Sequence, residues 1–269
     1  MTQGNVVFSK YNPSGNMTVL VHSTHPESHY VNIANQLMAT EHICCEQVGF
    51  IEKGHHDKLK LVMSGHEFCG NATISFLHYL KTQQLLPSHQ VDVEVSGRQD
   101  LVSCKVHHDN SYEVTMPSQK QITSTKLNMK DQVLSAKRIE YDSYLHFVVP
   151  VQHINEEMKQ AVEQFIQKTK WDVRFKTVGV MLYQHHNDYM EPFIYVPSIS
   201  SMIWEQSCAS GTASVGAYIH HQTGQSCHYR QISQPGGILS VSTKQNHNAY
   251  HTTIKGHVTT VATGTAYIE

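Results

Sequence analysis

Charge is scarce in this sequence. Only 16% of its 269 residues are Asp, Glu, Lys or Arg, and 20 basic against 22 acidic side chains leave a net charge of −2. No basic surplus exists to hold a phosphate backbone, which argues against a nucleic-acid partner. Long apolar runs are missing as well. Nothing approaches the roughly 18 residues that span a bilayer, so no membrane partner is expected. Met1–Lys10 shows no basic stretch leading into an apolar one; no secretory signal is expected, and a cytoplasmic location follows as an expectation. Also absent are the GxGxxG and Walker loops that cradle nucleotides, the HExxH spacing that holds zinc, and any CxxC pair. No lysine has a setting recognisable as that of a pyridoxal Schiff base, so the chain is expected to use neither cofactor nor metal.

What the chain has in excess is histidine. Its 21 histidines are scattered, with doublets at His55-His56, His107-His108, His185-His186 and His220-His221. The scatter reads as polar surface usage, with a metal-carrying protein as the alternative. Protonating all of them would turn a weakly negative chain strongly positive, so poor tolerance of acid is expected. The six cysteines, at 44, 45, 69, 104, 208 and 227, are expected to be thiols rather than three disulfides in a chain without a signal.

An internal repeat organises the rest. Cys69-Gly-Asn-Ala-Thr-Ile-Ser75 and Cys208-Ala-Ser-Gly-Thr-Ala-Ser214 align position for position without a gap, sharing Cys, Thr and Ser, and a glycine (Gly97, Gly236) stands equally far beyond each Cys. The coarse secondary structure repeats with it. In the first half, extended runs at Val6–Ser9 and Met17–His22 flank a Tyr11–Gly15 turn. A helix is expected over Glu27–Met38, started by a Thr24/Glu27 capping box with Pro26 in its first turn. Strands at Gln47–Ile51 and Lys60–Met63, a helix from Cys69 to about Leu80, and strands at Val91–Val95 and Leu101–Val106 follow. The second half reads as a strand at His146–Val149, a helix at Asn155–Lys168, strands at Val178–Tyr183 and Pro192–Val196, a helix from Cys208, and strands either side of Gly236. Ala209, Gly211, Ala213, Gly216 and Ala217 leave the second Cys helix nearly bare of large side chains, and the first begins Gly70-Asn71-Ala72, so both suit close packing on all sides. The expected fold is α+β: two pseudo-symmetric halves, each a curved mixed sheet around a central helix. The expected division is 1–127 plus 256–269 against 128–255, with Val258–Ile268 pairing back onto the first half.

A cysteine at a helix N-terminus sits where unpaired N–H groups and the positive end of the macrodipole favour the thiolate. Two of them at equivalent positions of a duplicated unit can place one base on each face of a substrate carbon, with N–H donors for a carboxylate. That arrangement suits inversion of a stereocentre. A thiol redox protein with a working Cys69–Cys208 disulfide is the competing use of the same pair.

Phe8-Ser-Lys10 leading to Gly15-Asn16, then Glu46-Gln47, Cys69-Gly-Asn71 and Ser207-Cys208-Ala-Ser-Gly211 resemble the cofactor-independent diaminopimelate epimerase and proline racemase superfamily over nearly the whole chain. Within it the Phe8–Asn16, Cys44–Phe50 and Lys255–Gly264 stretches look most like the histidine racemases of opine-metallophore biosynthesis. The resemblance implies a homodimer that racemises histidine without pyridoxal phosphate or metal, with Cys69 and Cys208 as the acid/base pair. It further implies that Gly70, Asn71, Ala209 and Ser210 present N–H groups to the substrate carboxylate, and that Asn16, Gln47 and His146 contact substrate. Departures bear on the substrate. Ser143-Tyr-Leu-His146 and Thr177-Val-Gly179 replace Asn-containing runs of diaminopimelate epimerases, and Glu205-Gln206 matches their Glu-Arg pair only imperfectly. A smaller or aromatic side chain is therefore favoured, with Glu46, Tyr144 and Thr177 as candidates for its pocket; another amino acid, diaminopimelate or a proline derivative, is the alternative.

Overall fold

A computed structural model describes residues 4–55, 59–129, 132–246 and 249–269. The chain divides into two compact units, Met1–Thr115 with Lys255–Glu269, and Met116–Ile254. Of the histidine doublets, His56 lies outside the described residues.

In the first unit the order is β1 (Gly4–Pro13), β2 (Thr18–Val21), α1 (Tyr30–Met38), β3 (Gln47–Lys53), β4 (Leu59–Met63), α2 (Gly70–Thr82), β5 (Gln90–Val95), β6 (Val102–Val106) and β7 (Ser111–Thr115). The second contains β8 (Gln121–Met129), β9 (Gln132–Glu140), β10 (Tyr144–Pro150), α3 (Glu156–Lys168), β11 (Thr177–Gln184), β12 (Tyr189–Val196), β13 (Ser201–Trp204), α4 (Ala209–Thr223), β14 (Cys227–Gln234) and β15 (Gly237–Asn246). The last strand, β16 (Ala249–Ile268), straddles the boundary. Residues 116–127 belong with the second unit, where β8 pairs along its whole length with β9.

Within the first unit the strands run β16-β1-β2-β3-β4-β5-β6-β7, and within the second β8-β9-β10-β11-β12-β14-β15-β16, with β13 added beside β12. The senses of pairing match as well. β1/β2 and β9/β10 are antiparallel, β2/β3 and β10/β11 parallel, β3/β4 and β11/β12 antiparallel, and β4/β5 and β12/β14 parallel. The repeated Cys segments thus sit in repeated topologies, each opening the helix between the two parallel strands of a crossover.

Strand periodicity explains why both faces of each sheet are covered. Along β10 and β11, Leu145, Phe147, Val149, Val178, Val180 and Leu182 pack in one cluster with Val162 and Ile166 of α3. Val148, Met181 and Tyr183, pointing the other way, join Val215 and Ala217 of α4. α2 and α4 are the central helices, buried at every position from Gly70 to Leu77 and from Gly211 to His220. The small residues of α4 are required by close approach: a Cβ on Gly216 would lie 2.5 Å from Val241 Cγ2, and one on Gly211 2.6 Å from Met181 Sδ. This mixed α+β architecture is that of a diaminopimelate epimerase-like fold.

Four local expectations are revised. Glu27–His29 is a 3-10 turn and the α-helix begins only at Tyr30, with no side-chain cap at either start. The Thr24/Glu27 capping box does not form, because Pro26 is itself the cap residue of the 3-10 turn and Glu27 pairs with His66 at 3.2 Å. β1 continues through Tyr11 to Pro13 across an irregularity at Lys10/Tyr11, leaving the reversal to Ser14 and Gly15, both at positive φ. The strands β7, β8, β9 and β13 were not anticipated, and β16 begins earlier than expected, at Ala249.

Candidate active site

Cys69 caps α2 with its own side chain. Its backbone is extended (φ −127°, ψ 116°), and its sulfur accepts the Ala72 N–H at 3.3 Å, as a Ser or Asp oxygen does at an ordinary N-cap. Thr73 donates to the Cys69 carbonyl twice, from its amide at 2.9 Å and its hydroxyl at 2.7 Å. Cys208 does the same at α4: φ −134°, ψ 111°, Gly211 N–H to sulfur at 3.4 Å, and Thr212 amide and hydroxyl to the Cys208 carbonyl at 2.9 and 2.7 Å. The repeat is therefore conformational as well as sequential.

The surroundings of the two sulfurs differ. Around Cys69, the parallel register Thr18↔Gln47 brings the start of β2 beside the start of β3. The Glu46 and Gln47 amides both reach the Met17 carbonyl, at 2.8 and 3.2 Å. Gln47 Oε1 accepts the Cys69 thiol at 2.5 Å, and buried Asn16 donates through Nδ2 to Glu46 Oε2 at 3.2 Å. Asn71 donates to the Pro13 carbonyl at 3.2 Å, tying the first turn of α2 to the end of β1. Gln47 thus meets the sulfur directly, with the Asn16–Glu46 pair beside it in the chain and Gly70 and Asn71 following Cys69 in the first turn of α2.

Around Cys208, Ser210 Oγ lies 3.4 Å from the sulfur, Ala209 is buried, and the Glu205 carboxylate accepts a hydrogen bond from the thiol. The helix N-terminus was expected to favour the thiolate here. Burial pushes the Cys208 thiol well above its ordinary value instead, and the adjacent Glu205 charge adds to the effect. Glu205 matches a family Glu-Arg pair only imperfectly in sequence, and its place beside the thiol follows from standing three residues before Cys208.

His146, 1% exposed, lies behind α4. Its Nδ1 and the Tyr141 hydroxyl both meet Ser214 Oγ, each at 2.8 Å. Ser214 is six residues along the helix from Cys208, about 9 Å of rise. Burial drops the His146 pKa to about 3, so the ring is neutral. Tyr144 and Thr177 face each other in the β10/β11 register, and Tyr144 stacks on Tyr141 with centroids 4.1 Å apart. All six cysteines are free thiols, and among the described residues no three His, Cys, Asp or Glu side chains converge as a metal site.

Residues 5–267 match the family model described as the histidine racemase CntK N-terminal domain. The chain belongs to this family. A histidine racemase of Staphylococcus aureus is 49% identical over 98% of both chains, and one of Fusobacterium nucleatum is 27% identical over 97% of this chain and 96% of its own. As a member of the family, the protein is an isomerase of the racemase class. Among solved structures, a hydroxyproline epimerase of Agrobacterium vitis with bound trans-4-hydroxy-L-proline superposes with a TM-score of 0.69 at 12% identity, covering 98% of this chain and 93% of that one. A PhzF-family protein of Bacillus anthracis superposes with a TM-score of 0.67 at 12% identity, covering 99% of each. At such identities the likeness establishes the fold alone.

Proposed function

We propose that the protein interconverts L- and D-histidine by proton transfer at the α-carbon between two cysteines, Cys69 and Cys208, without pyridoxal phosphate or metal. The observation that carries the two-base reading is the matched N-cap geometry of the two cysteines, with amide-to-sulfur contacts of 3.3 and 3.4 Å and threonine hydroxyl-to-carbonyl contacts of 2.7 Å in both. The 49% identity to a histidine racemase supports the substrate. In this scheme one sulfur, as thiolate, removes the α-proton, and the other, as thiol, returns a proton to the opposite face. Backbone N–H groups of Gly70, Asn71, Ala209 and Ser210 hold the substrate carboxylate at the positive ends of the two helices, which also stabilises charge developing toward it. Gln47 suits Cys69 in either state: an amide accepts from a thiol through oxygen and donates to a thiolate through nitrogen. Glu46, braced by Asn16, supplies a carboxylate for the imidazole, with Tyr144 and Thr177 as further candidates for its pocket. His146, neutral and bonded to Ser214, supports α4 from behind. The resemblance adds that the enzyme is a homodimer and that its D-histidine feeds assembly of an opine metallophore.

The test is racemisation of L-histidine in deuterated water, followed by chiral chromatography and mass spectrometry. Early D-histidine should carry α-deuterium while the remaining L-histidine stays largely unlabelled, and Cys69→Ala and Cys208→Ala should each abolish turnover. Early D-histidine that keeps its original α-hydrogen, or substantial turnover by either variant, overturns the two-base scheme. In a panel of L-amino acids, turnover confined to diaminopimelate or proline derivatives overturns the substrate.

A further inference from the structure

The turns after β5 and β14 hold the segments that lead into the two cysteines. In the first unit Ser96 Oγ donates to the Glu67 carbonyl at 2.7 Å and accepts the Met63 N–H at 2.9 Å. Gly97, at φ +72°, lies so close to this segment that a Cβ would sit 2.3 Å from Phe68 N. In the second unit the Gly236 N–H donates to the Gln206 carbonyl at 2.7 Å. Glu67 and Gln206 each stand two residues before a cysteine, so both halves tie down the same point.

The backbone of Cys208 has a further contact. Buried Gln234, the last residue of β14, accepts the Cys208 N–H through Oε1 at 2.7 Å and donates through Nε2 to Thr212 Oγ1 at 3.1 Å. Thr212 Oγ1 in turn donates to the Cys208 carbonyl at 2.7 Å. These bonds close a ring through the N–H and C=O of a single residue. The amide orientation is forced, because the Cys208 N–H can only donate and must face oxygen. When the gap-free alignment of the two Cys segments is extended to Gln234, its match in the first half is Val95, which has no polar side-chain atom to offer Cys69.

We propose that Gln234 is the positioning residue of Cys208, fixing its backbone on both sides so that the sulfur moves only about its own χ1 torsion. The proposal rests on the reading of Cys208 as one of the two acid/base groups. Proton transfer needs the sulfur within contact of the α-carbon, and a misplacement of about 1 Å can cost about 100-fold in rate. Around Cys69, Gln47 meets the sulfur and Ser96 holds the segment upstream.

Gln234→Leu should lower kcat by about 10- to 100-fold in both directions while KM stays within about threefold. Gln234→Glu, which accepts from Cys208 but cannot donate to Thr212, should fall between Leu and the native enzyme. Thr212→Ser should keep kcat and Thr212→Val lose it. In peptide mass spectrometry after iodoacetamide, Cys208 should gain label in Gln234→Leu while buried Cys45 and Cys104 do not. Near-native kcat in Gln234→Leu overturns the proposal, as does a parallel rise in labelling of Cys45 and Cys104, which marks a general loosening. If Gln234→Leu fails to fold, Thr212→Val against Thr212→Ser decides by the same two readouts. Cys208→Ala run alongside separates the two levels: activity there removes the two-base reading itself, whereas an inactive Cys208→Ala beside a fully active Gln234→Leu removes the Gln234 proposal alone.

Discussion

At the scale of single residues, the two sulfurs differ in what they can lean on. Gln47 offers Cys69 an amide that serves either protonation state, while Glu205 offers Cys208 a carboxylate that can only accept. A negative charge beside a thiol disfavours its ionisation, so Glu205→Gln should move the Cys208 titration downward, though burial, the larger cause, keeps it high. Following iodoacetamide labelling of Cys208 against pH checks this. The labelling midpoint should shift to lower pH in the variant, and an unchanged or higher midpoint would show that Glu205 does not act on the thiol. The cysteines themselves were legible in the sequence because a gap-free repeat marks them. Asn16, Glu46 and Gln47 were legible only through resemblance, since Gln47 reaches Cys69, and Asn16 reaches Glu46, by the parallel β2/β3 register and not by proximity in the chain. Gln234 gave no signal at all: its role comes from a ring closed between a strand end and a helix start.

At the scale of elements, α4 shows how composition encodes placement. Gly216 faces Val241 and Thr243 of β15 at a distance that leaves no room for a methyl group. Gly216→Ala gains about 1 kcal/mol of helix propensity, but overpacking costs about 1–3 kcal/mol. Val241 is fully buried and β-branched, so it yields poorly, and the clash should win. Urea unfolding should show a net loss of about 1 kcal/mol, whereas a stabilised variant would mean that β15 gives way easily. Elements with a strong apolar signal were readable in advance: the continuous buried runs of β10 and β11, and the small-residue helix α4. β8 and β9 were not, because most of their side chains are exposed or half-buried and offer little hydrophobic alternation to read. The start of α1 was misread for a different reason. Thr24 and Glu27 have the spacing of a capping box, but Glu27 is drawn to His66 and Pro26 takes the cap position.

At the scale of the molecule, the histidine content becomes a statement about acid. His22, His25, His78 and His146 all have pKa values lowered from 6.5, with burial the first cause in every case. The folded state therefore prefers each of these rings neutral, and unfolding lets them take up protons. The sign follows: above about pH 6.5 they are neutral in both states and add no pH dependence, while below it the unfolded chain binds protons first and stability falls. For His146 the fall extends down to its folded value of about 3. Each such proton contributes a slope of up to about 1.4 kcal/mol per pH unit within its window. Denaturant unfolding between pH 7.5 and 4 should accordingly show a stability that is nearly level at first and then declines steadily below about pH 6.5. His146→Gln, which keeps a polar group for Ser214 but cannot titrate, should flatten the part of that decline below about pH 5. A variant with the same slope as the native protein would remove His146 from the account, and a stability independent of pH down to about 4.5 would remove the buried histidines altogether.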